Sequence, residues 1–302
     1  MNLQLVFDAL SLGGIYATAA LGVALIFGVM KLVNFAQGQF LAFCVFALII
    51  PSKDAVAVMG LGAAPAYVLI PMVLLIGVGL AVLSELLVFR HLRDAEPVSL
   101  MVASFALGIV IQNLLLMTYG GRPKAVSLWP NLGKPVDFLG AEVPLLQIIV
   151  IFTIVLMLIL LSVGLKFTRI GLEMRAAAEN FGMARLLGVR ANRVIMMAFA
   201  ISGVLAAMLA LIFVAQTGVA DVRMGSSIVL IAFVATVLGG MGSLPGAVLA
   251  GLLLGAVSTL LQAYLPVELR PFRDAFLYGL VIVVLLVRPQ GLFTLSSVSN
   301  RI

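Results

Sequence analysis

Long apolar runs separated by short polar punctuation dominate this chain. Most of the runs, at about 9–30, 66–89, 98–118, 144–165, 194–215, 226–238, a stretch ending near 263 and 275–288, reach or approach the ~20 residues that a helix needs to cross a hydrocarbon core. They are continuous rather than alternating in short segments, which excludes a membrane barrel. The pattern predicts an all-α polytopic membrane protein with 8–9 transmembrane helices, organised as one transmembrane domain over residues 1–302.

Two interruptions break this pattern. The first is Asn34-Phe35-Ala36-Gln37-Gly38-Gln39, and the apolar stretch at 38–50 that follows is short for a perpendicular crossing. It reads as a half-helix or tilted segment entered through an amide-rich turn. A full crossing there gives nine spans and a re-entrant segment gives eight. We favour the re-entrant count, in which the unit around Asn34–Gly38 and the unit around Gly239–Gly246 are inverted repeats. Transporters built from inverted repeats place the solute path at interrupted helices between the repeats.

A helix broken in lipid is tolerated only where protein or a water-filled cavity satisfies the freed backbone. The candidate path residues are therefore Asn34, Gln37, Gly38 and Gln39 at the first break, and Gly240, Gly242 and Ser243 at the second. Such uncharged donors and acceptors suit a polar or zwitterionic solute; the competing role is to cap the broken helices. Gln112 and Asn113, the most polar pair in the fourth span, either join the path or bridge to other helices. Gly14, Thr18 and Gly22, four apart in the first span, are read as a packing face.

The longest polar run, 166–193, carries Lys166, Arg169, Arg175, Arg185, Arg190 and Arg193, six of the eighteen basic residues. Within it, Met174, Ala177, Ala178, Phe181 and Ala184 recur at helical spacing and form one apolar stripe. Glu173, Arg175, Glu179 and Arg185 fall mostly off the stripe, and Gly188 supplies a left-handed stop after Leu187. Two readings stand: a surface helix offering a small apolar face to a partner, or a connector lying against its own bundle.

Composition agrees with the membrane reading. Hydrophobic residues make up 64% and charged residues 10%, against about 45–50% and 25% in a soluble domain. The net charge of +6 is concentrated in loops, so it is not a nucleic-acid footprint. The 119–143 loop has only Arg122, Lys124 and Lys134, which places it outside and the 166–193 run in the cytoplasm. Alternation then puts 90–97 and the C-terminus inside and 216–225 outside, while the side of the N-terminus stays open. The first apolar stretch is too long for a cleaved leader and is taken as a retained span. Trp129 reads as an interface anchor, and Glu85 as a partner for Arg90 or Arg93.

One cysteine, Cys44, and one histidine, His91, leave no disulfide framework and no multi-ligand metal site. There is no P-loop, and the Gly-x-Gly within 239–246 follows no strand. No nucleophile–base set can be assembled, so the expectation is a non-enzyme with no cofactor of its own. Asp8, Glu85 and Asp274 all lie near span ends, which disfavours a proton relay. Uphill transport would then need a separate energy-supplying subunit docked on 172–187. The alternative is a stand-alone or sodium-coupled carrier.

Several segments resemble the branched-chain amino acid ABC importer permeases of the LivH type, in a match that runs almost end to end. They are Leu12 to Ala17, Val33-Asn34-Phe35-Ala36-x-Gly38, Glu85 with Phe89-Arg90-x-Leu92-Arg93, and Gln112-Asn113. The most specific are Gly171 to Gly188, Leu238 to Gly246, and Leu286 to Gly291. The resemblance implies one permease subunit of a bacterial inner-membrane importer. Its partners would be a second homologous permease, two ATPases that bind ATP and Mg, and a periplasmic solute-binding protein. It also implies that 172–187 is the coupling helix, with Gly171, Glu173, Arg175, Ala178, Glu179, Leu187 and Gly188 as the coupling residues. Such permeases usually show His and Glu where this chain has Gln37 and Gln39, and Pro where it has His91. Urea and short-amide importers share nearly the same pattern and remain the alternative solute class.

Overall fold

A computed structural model describes residues 3–52, 54, 56–93, 95–133, 135–138 and 141–292. The apolar runs become α1 (Leu3–Met30), α2 (Gln37–Phe46), α3 (Ala66–Ser84), α4 (Pro97–Tyr119) and α5 (Leu145–Phe167). The polar run forms α6 (Arg169–Glu179) and α7 (Phe181–Leu186). Then follow α8 (Ala191–Thr217), α9 (Met224–Gly239), α10 (Leu244–Tyr264) and α11 (Arg273–Val287). Six helices, α1, α3 with its π-turn extension to Phe89, α4, α5, α8 and α10, are long and apolar enough to cross a membrane.

The centre of the bundle is α1, which is buried along most of its length. Against it α10 runs antiparallel, with Gly255 on Gly13 and Gly251 on Ala17, so close that an added methyl would overlap the α1 backbone. In the same way α3 lies against α8 through Gly77 and Gly203. Lipid is as apolar as the helices, so burial from it drives nothing; close backbone approach and dispersion must hold the pairs. By contrast α3, α4 and α5 leave most of their surface uncovered. Gly14 and Gly22 do pack, on Ile154 of α5 and on the Gln37 side chain.

The contacts at the helix ends fix the threading. Gly28, near the end of α1, approaches Ala178 of α6, so α1 finishes on the face that carries the basic run. Beyond the other end of α2, Ile49 bridges Met59 and Val56 bridges Ala125. There β1 (Lys124–Ala125) also pairs antiparallel with β4 (Val219–Ala220). These segments cap the opposite face. The 38–50 segment therefore crosses, and among the described residues nine segments run between the faces rather than the favoured eight. Ten helical residues rise only about 15 Å; non-helical 31–36 and 47–50 supply the rest. Residues 32–36 are all buried, so no unpaired backbone there meets lipid.

This threading also changes how the repeats match. They are α1–α2–α3 and α8–α9–α10, each a long helix, a short helix and a third, running in opposite directions. The close pair α1 with α10 is mirrored by α8 with α3. The two breaks, 31–36 and 240–243, both lie toward the basic face and are not each other's counterparts. The counterpart of 31–36 is 218–223, between α8 and α9.

The cap on the face opposite the basic run is pinned by Lys124, which is fully buried. Its ammonium donates to the carbonyl oxygens of Ser52 and Asp54, each at 2.7 Å. Trp129 in the same loop is half-buried. A hairpin of β2 (Pro135–Phe138) and β3 (Ala141–Pro144) leads into α5.

Candidate functional site

The first break is built from side chains replacing a helical ladder. Lys31, at φ 56°, ends α1 in a conformation uncommon for a non-glycine residue. Asn34 Oδ1 then accepts from the Ala36 amide at 3.0 Å and turns the chain into α2. The Phe35 amide donates to Ser104 Oγ at 3.2 Å, and the Phe35 ring stacks on Phe105 at 4.1 Å. Ser104 lies about two helical turns in from Pro97, so the break sits well inside the membrane.

Gly38 and Gly225 meet where the two short helices begin, each with the other's carbonyl where a side chain would go. Beside them Gln39 Nε2 donates to Ser226 Oγ at 3.0 Å. Asp221 Oδ1 accepts from the Arg223 amide at 2.8 Å, repeating the turn made by Asn34. Asn34 and Asp221, Gly38 and Gly225, and Gln39 and Ser226 are each 187 residues apart. The α2 and α9 starts are thus related as inverted copies, meeting at the axis between the repeats.

Gln37 packs over Gly22, where any side chain would overlap its amide. Between α1, α2, α8 and α9 lies a void of about 10 Å³ lined by Thr18, Val23, Gln37, Leu41, Leu209 and Ile228. Such a volume holds about one water molecule. Thr18 Oγ1 and Gln37 Oε1, on its wall, are buried without a hydrogen-bond partner among the described residues. Asn34 Nδ2 and Gln39 Oε1 nearby share that condition. A buried unpaired polar atom costs about 1–3 kcal/mol, so this region carries a polarity that packing alone does not reward.

On the basic face, the helix expected at 172–187 is two helices. Thr168 caps α6 through the Gly171 amide at 3.1 Å, and Asn180 caps α7 through the Met183 amide at 3.0 Å. Gly171 is clamped against the backbone of Leu165, while Gly188 takes φ 89° and stops α7 as expected. The apolar stripe turns inward: Met174, Ala177 and Ala184 are buried, and Ala178 lies opposite Gly28, 4.0 Å from where a side-chain carbon on that glycine would sit. The stripe is therefore the side that lies against its own bundle. The outward side holds Leu172, Met183, Leu186 and Leu187, the last two each 84% exposed. Arg175 and Glu179 are exposed beside them and Glu173 is half-exposed.

Residues 5–285 match the family described as branched-chain amino acid transport system / permease component. The chain belongs to this family. The permease is 29% identical to the high-affinity branched-chain amino acid transport system permease protein LivH of Salmonella typhimurium, covering 96% of this chain and 94% of that one. It is 30% identical to BraD, the corresponding permease of Pseudomonas aeruginosa, over 96% and 95% of the two chains. The autoinducer 2 import system permease LsrC of Yersinia pseudotuberculosis is 31% identical over a shorter stretch, 62% of this chain and 58% of its own.

The other candidates of the permease do not converge on the first break. Gly240 and Gly242, at φ 93° and 94°, form the α9–α10 turn, about 9 Å nearer the basic face than Phe233, which touches Phe35. Ser243 Oγ caps α10 through the Gly246 amide at 3.1 Å. Gln112 is half-buried and Asn113 exposed on α4; the Asn113 amide donates back to the Ile109 carbonyl at 2.8 Å and, among the described residues, makes no bridge to another helix. Sequence reasoning missed a polar cleft of about 790 Å³ on the opposite face, walled by Asp8, Ser11, Gln147, Gln216, Gln262 and Arg273. Its signal was glutamines recurring near span ends, a weak mark when each is taken alone.

Proposed function

We propose that this permease is the membrane-spanning subunit of an ATP-driven importer in the bacterial cytoplasmic membrane, carrying branched-chain or other hydrophobic amino acids. Its basic face and C-terminus lie in the cytoplasm. The observation that carries the reading is the basic-face helix pair. It is held from within by Met174, Ala177 and Ala184, and it presents Leu186 and Leu187 outward beside charged groups. Bare leucines on a cytoplasmic surface are costly unless a partner covers them. An ATPase subunit, supplying ATP and Mg, is that partner, and a second permease and a periplasmic binding protein complete the assembly.

The route runs along the buried break of Asn34, Gln37, Gly38 and Gln39 and the outer side of α4. An exposed asparagine such as Asn113 within a span is unfavourable against lipid. Facing the second permease across a hydrated gap removes that cost. The polar cleft on the periplasmic face supplies an outer mouth. Neutral amides at 37 and 39 favour a second reading, in which the solute is urea or a short amide.

The test replaces Leu186 and Leu187 with Glu in the assembled importer. Loss of ATPase co-purification and of ATP-dependent leucine uptake is expected. Unchanged assembly, or uphill uptake by this chain alone in liposomes, would overturn the reading in favour of a self-contained carrier. Binding measurements with leucine and urea on the partner binding protein separate the two solute classes.

A further inference from the structure

We propose that Glu85, Arg93 and Asn192 form the joint through which movement of the 168–190 segment reaches α3, and through α3 the periplasmic cap. The inference rests on the importer reading above. Glu85 opens the π-turn Glu85–Phe89 at the cytoplasmic end of α3 and is completely buried. The Arg93 guanidinium donates to Glu85 Oε1 from one nitrogen and to Asn192 Oδ1 from the other. Arg90 stands 3.7 Å from the second carboxylate oxygen and is far more exposed than Arg93. Asn192 is the second residue of α8, the helix that directly follows the coupling segment.

The remaining contacts between α3 and α8 continue this connection along the bundle. Phe89 packs on Phe199 at 5.0 Å, and Gly77 meets Gly203 further in. The other end of α3 leads into residues 48–62, where the amides of Gly60 and Gly62 donate to the Leu48 carbonyl at 3.0 and 2.8 Å. The same cap holds Ser52, whose carbonyl receives the Lys124 ammonium. A displacement of the α8 start is thus delivered to the periplasmic cap by a helix that is otherwise open to lipid.

Stability alone does not account for the cluster. Well-packed apolar residues often replace a buried ion pair with no loss. Small-residue contacts such as Gly77 on Gly203 bring helices close but do little to fix their register. A forked guanidinium held at both ends does fix it.

The experiment uses the complete importer in proteoliposomes and measures ATP hydrolysed per solute taken up. Asn192→Ala, at an exposed position, leaves the Glu85–Arg93 pair in place and tests the joint without disturbing the fold; Arg93→Gln removes both links. Each should raise the ATP-to-solute ratio about fivefold or more, with ATPase co-purification and hydrolysis unchanged. Bridging Arg93→Cys to Asn192→Cys with a short thiol crosslinker should restore the ratio, since the single native Cys44 is buried. An unchanged ratio overturns the proposal, as does a parallel fall of hydrolysis and uptake, which marks a merely structural cluster. If the unaltered assembly fails to couple hydrolysis to uptake at all, the importer reading fails first and the joint falls with it.

Discussion

Gly38 of α2 and Gly225 of α9 occupy each other's side-chain space: a methyl added to either would overlap the carbonyl oxygen of the other. The contact is reciprocal because the two residues are counterparts in inverted repeats, each placed four residues after a turn-forming Asn34 or Asp221. Alanine at either position should therefore act alike. Overpacking of this kind costs about 1–3 kcal/mol. We expect Gly38→Ala and Gly225→Ala to lower thermal stability in detergent by similar amounts and to impair uptake, with ATPase docking retained. Tolerance at one position and intolerance at the other would show that the axis does not pass between them.

The neighbouring hydrogen bond from Gln39 to Ser226 joins the same two counterparts. Bonds of this type between membrane helices are worth about 0.6–2 kcal/mol. In a double-mutant cycle, Gln39→Ala and Ser226→Ala should each destabilise, and the double variant should lose less than the sum. Additive losses, measured by unfolding in detergent, would mean that the two side chains do not communicate.

The helices were legible in the chain because continuous apolar runs need no tertiary information to be recognised. The threading was not. Whether 38–50 crosses depends on residues 31–36 and 47–50, whose non-helical path is set by Ser104, by Phe105 and by the Gly60 and Gly62 amides that donate to the Leu48 carbonyl, all supplied by other segments. The repeat was equally hidden, since Asn34-x-x-x-Gly38-Gln39 and Asp221-x-x-x-Gly225-Ser226 share a turn chemistry and little else. At the basic-face helices, periodicity located the apolar stripe but had no means of saying which side faced inward. The outward leucines at 186 and 187 lie past the stripe's last member. Glu85 was legible as a pairing residue, because only two arginines lie within reach along the chain; its contact with Asn192 through Arg93 required the fold.

Lys124 provides a test of the cap opposite the basic face. Its buried ammonium is held by two carbonyl oxygens, from Ser52 and Asp54, and the Ser52 hydroxyl lies at 3.4 Å. Hydrogen bonds to a charged group are each worth about 1.5–3 kcal/mol. Lys124→Met keeps the stem and removes the ammonium, so the 50–60 segment should come loose while the transmembrane helices stay packed. The measurement is limited proteolysis of the purified protein in detergent, with faster cleavage expected within that segment. Equal cleavage rates in variant and parent would remove Lys124 from the role of pin.

Thr18 and Gln37 separate stability from transport by the sign of their effects. Thr18 Oγ1 and Gln37 Oε1 face a small void and have no partner among the described residues. Replacing an unpaired buried polar group with an apolar one of the same shape is neutral or stabilising. If the two groups serve only the fold, Thr18→Val with Gln37→Met should leave both stability and uptake untouched or improved. If they line the route, the same pair should unfold at an equal or higher temperature while leucine uptake drops several-fold. We expect the second pattern, because a polar solute passing this break would lose two hydrogen-bonding groups and meet a longer apolar barrier.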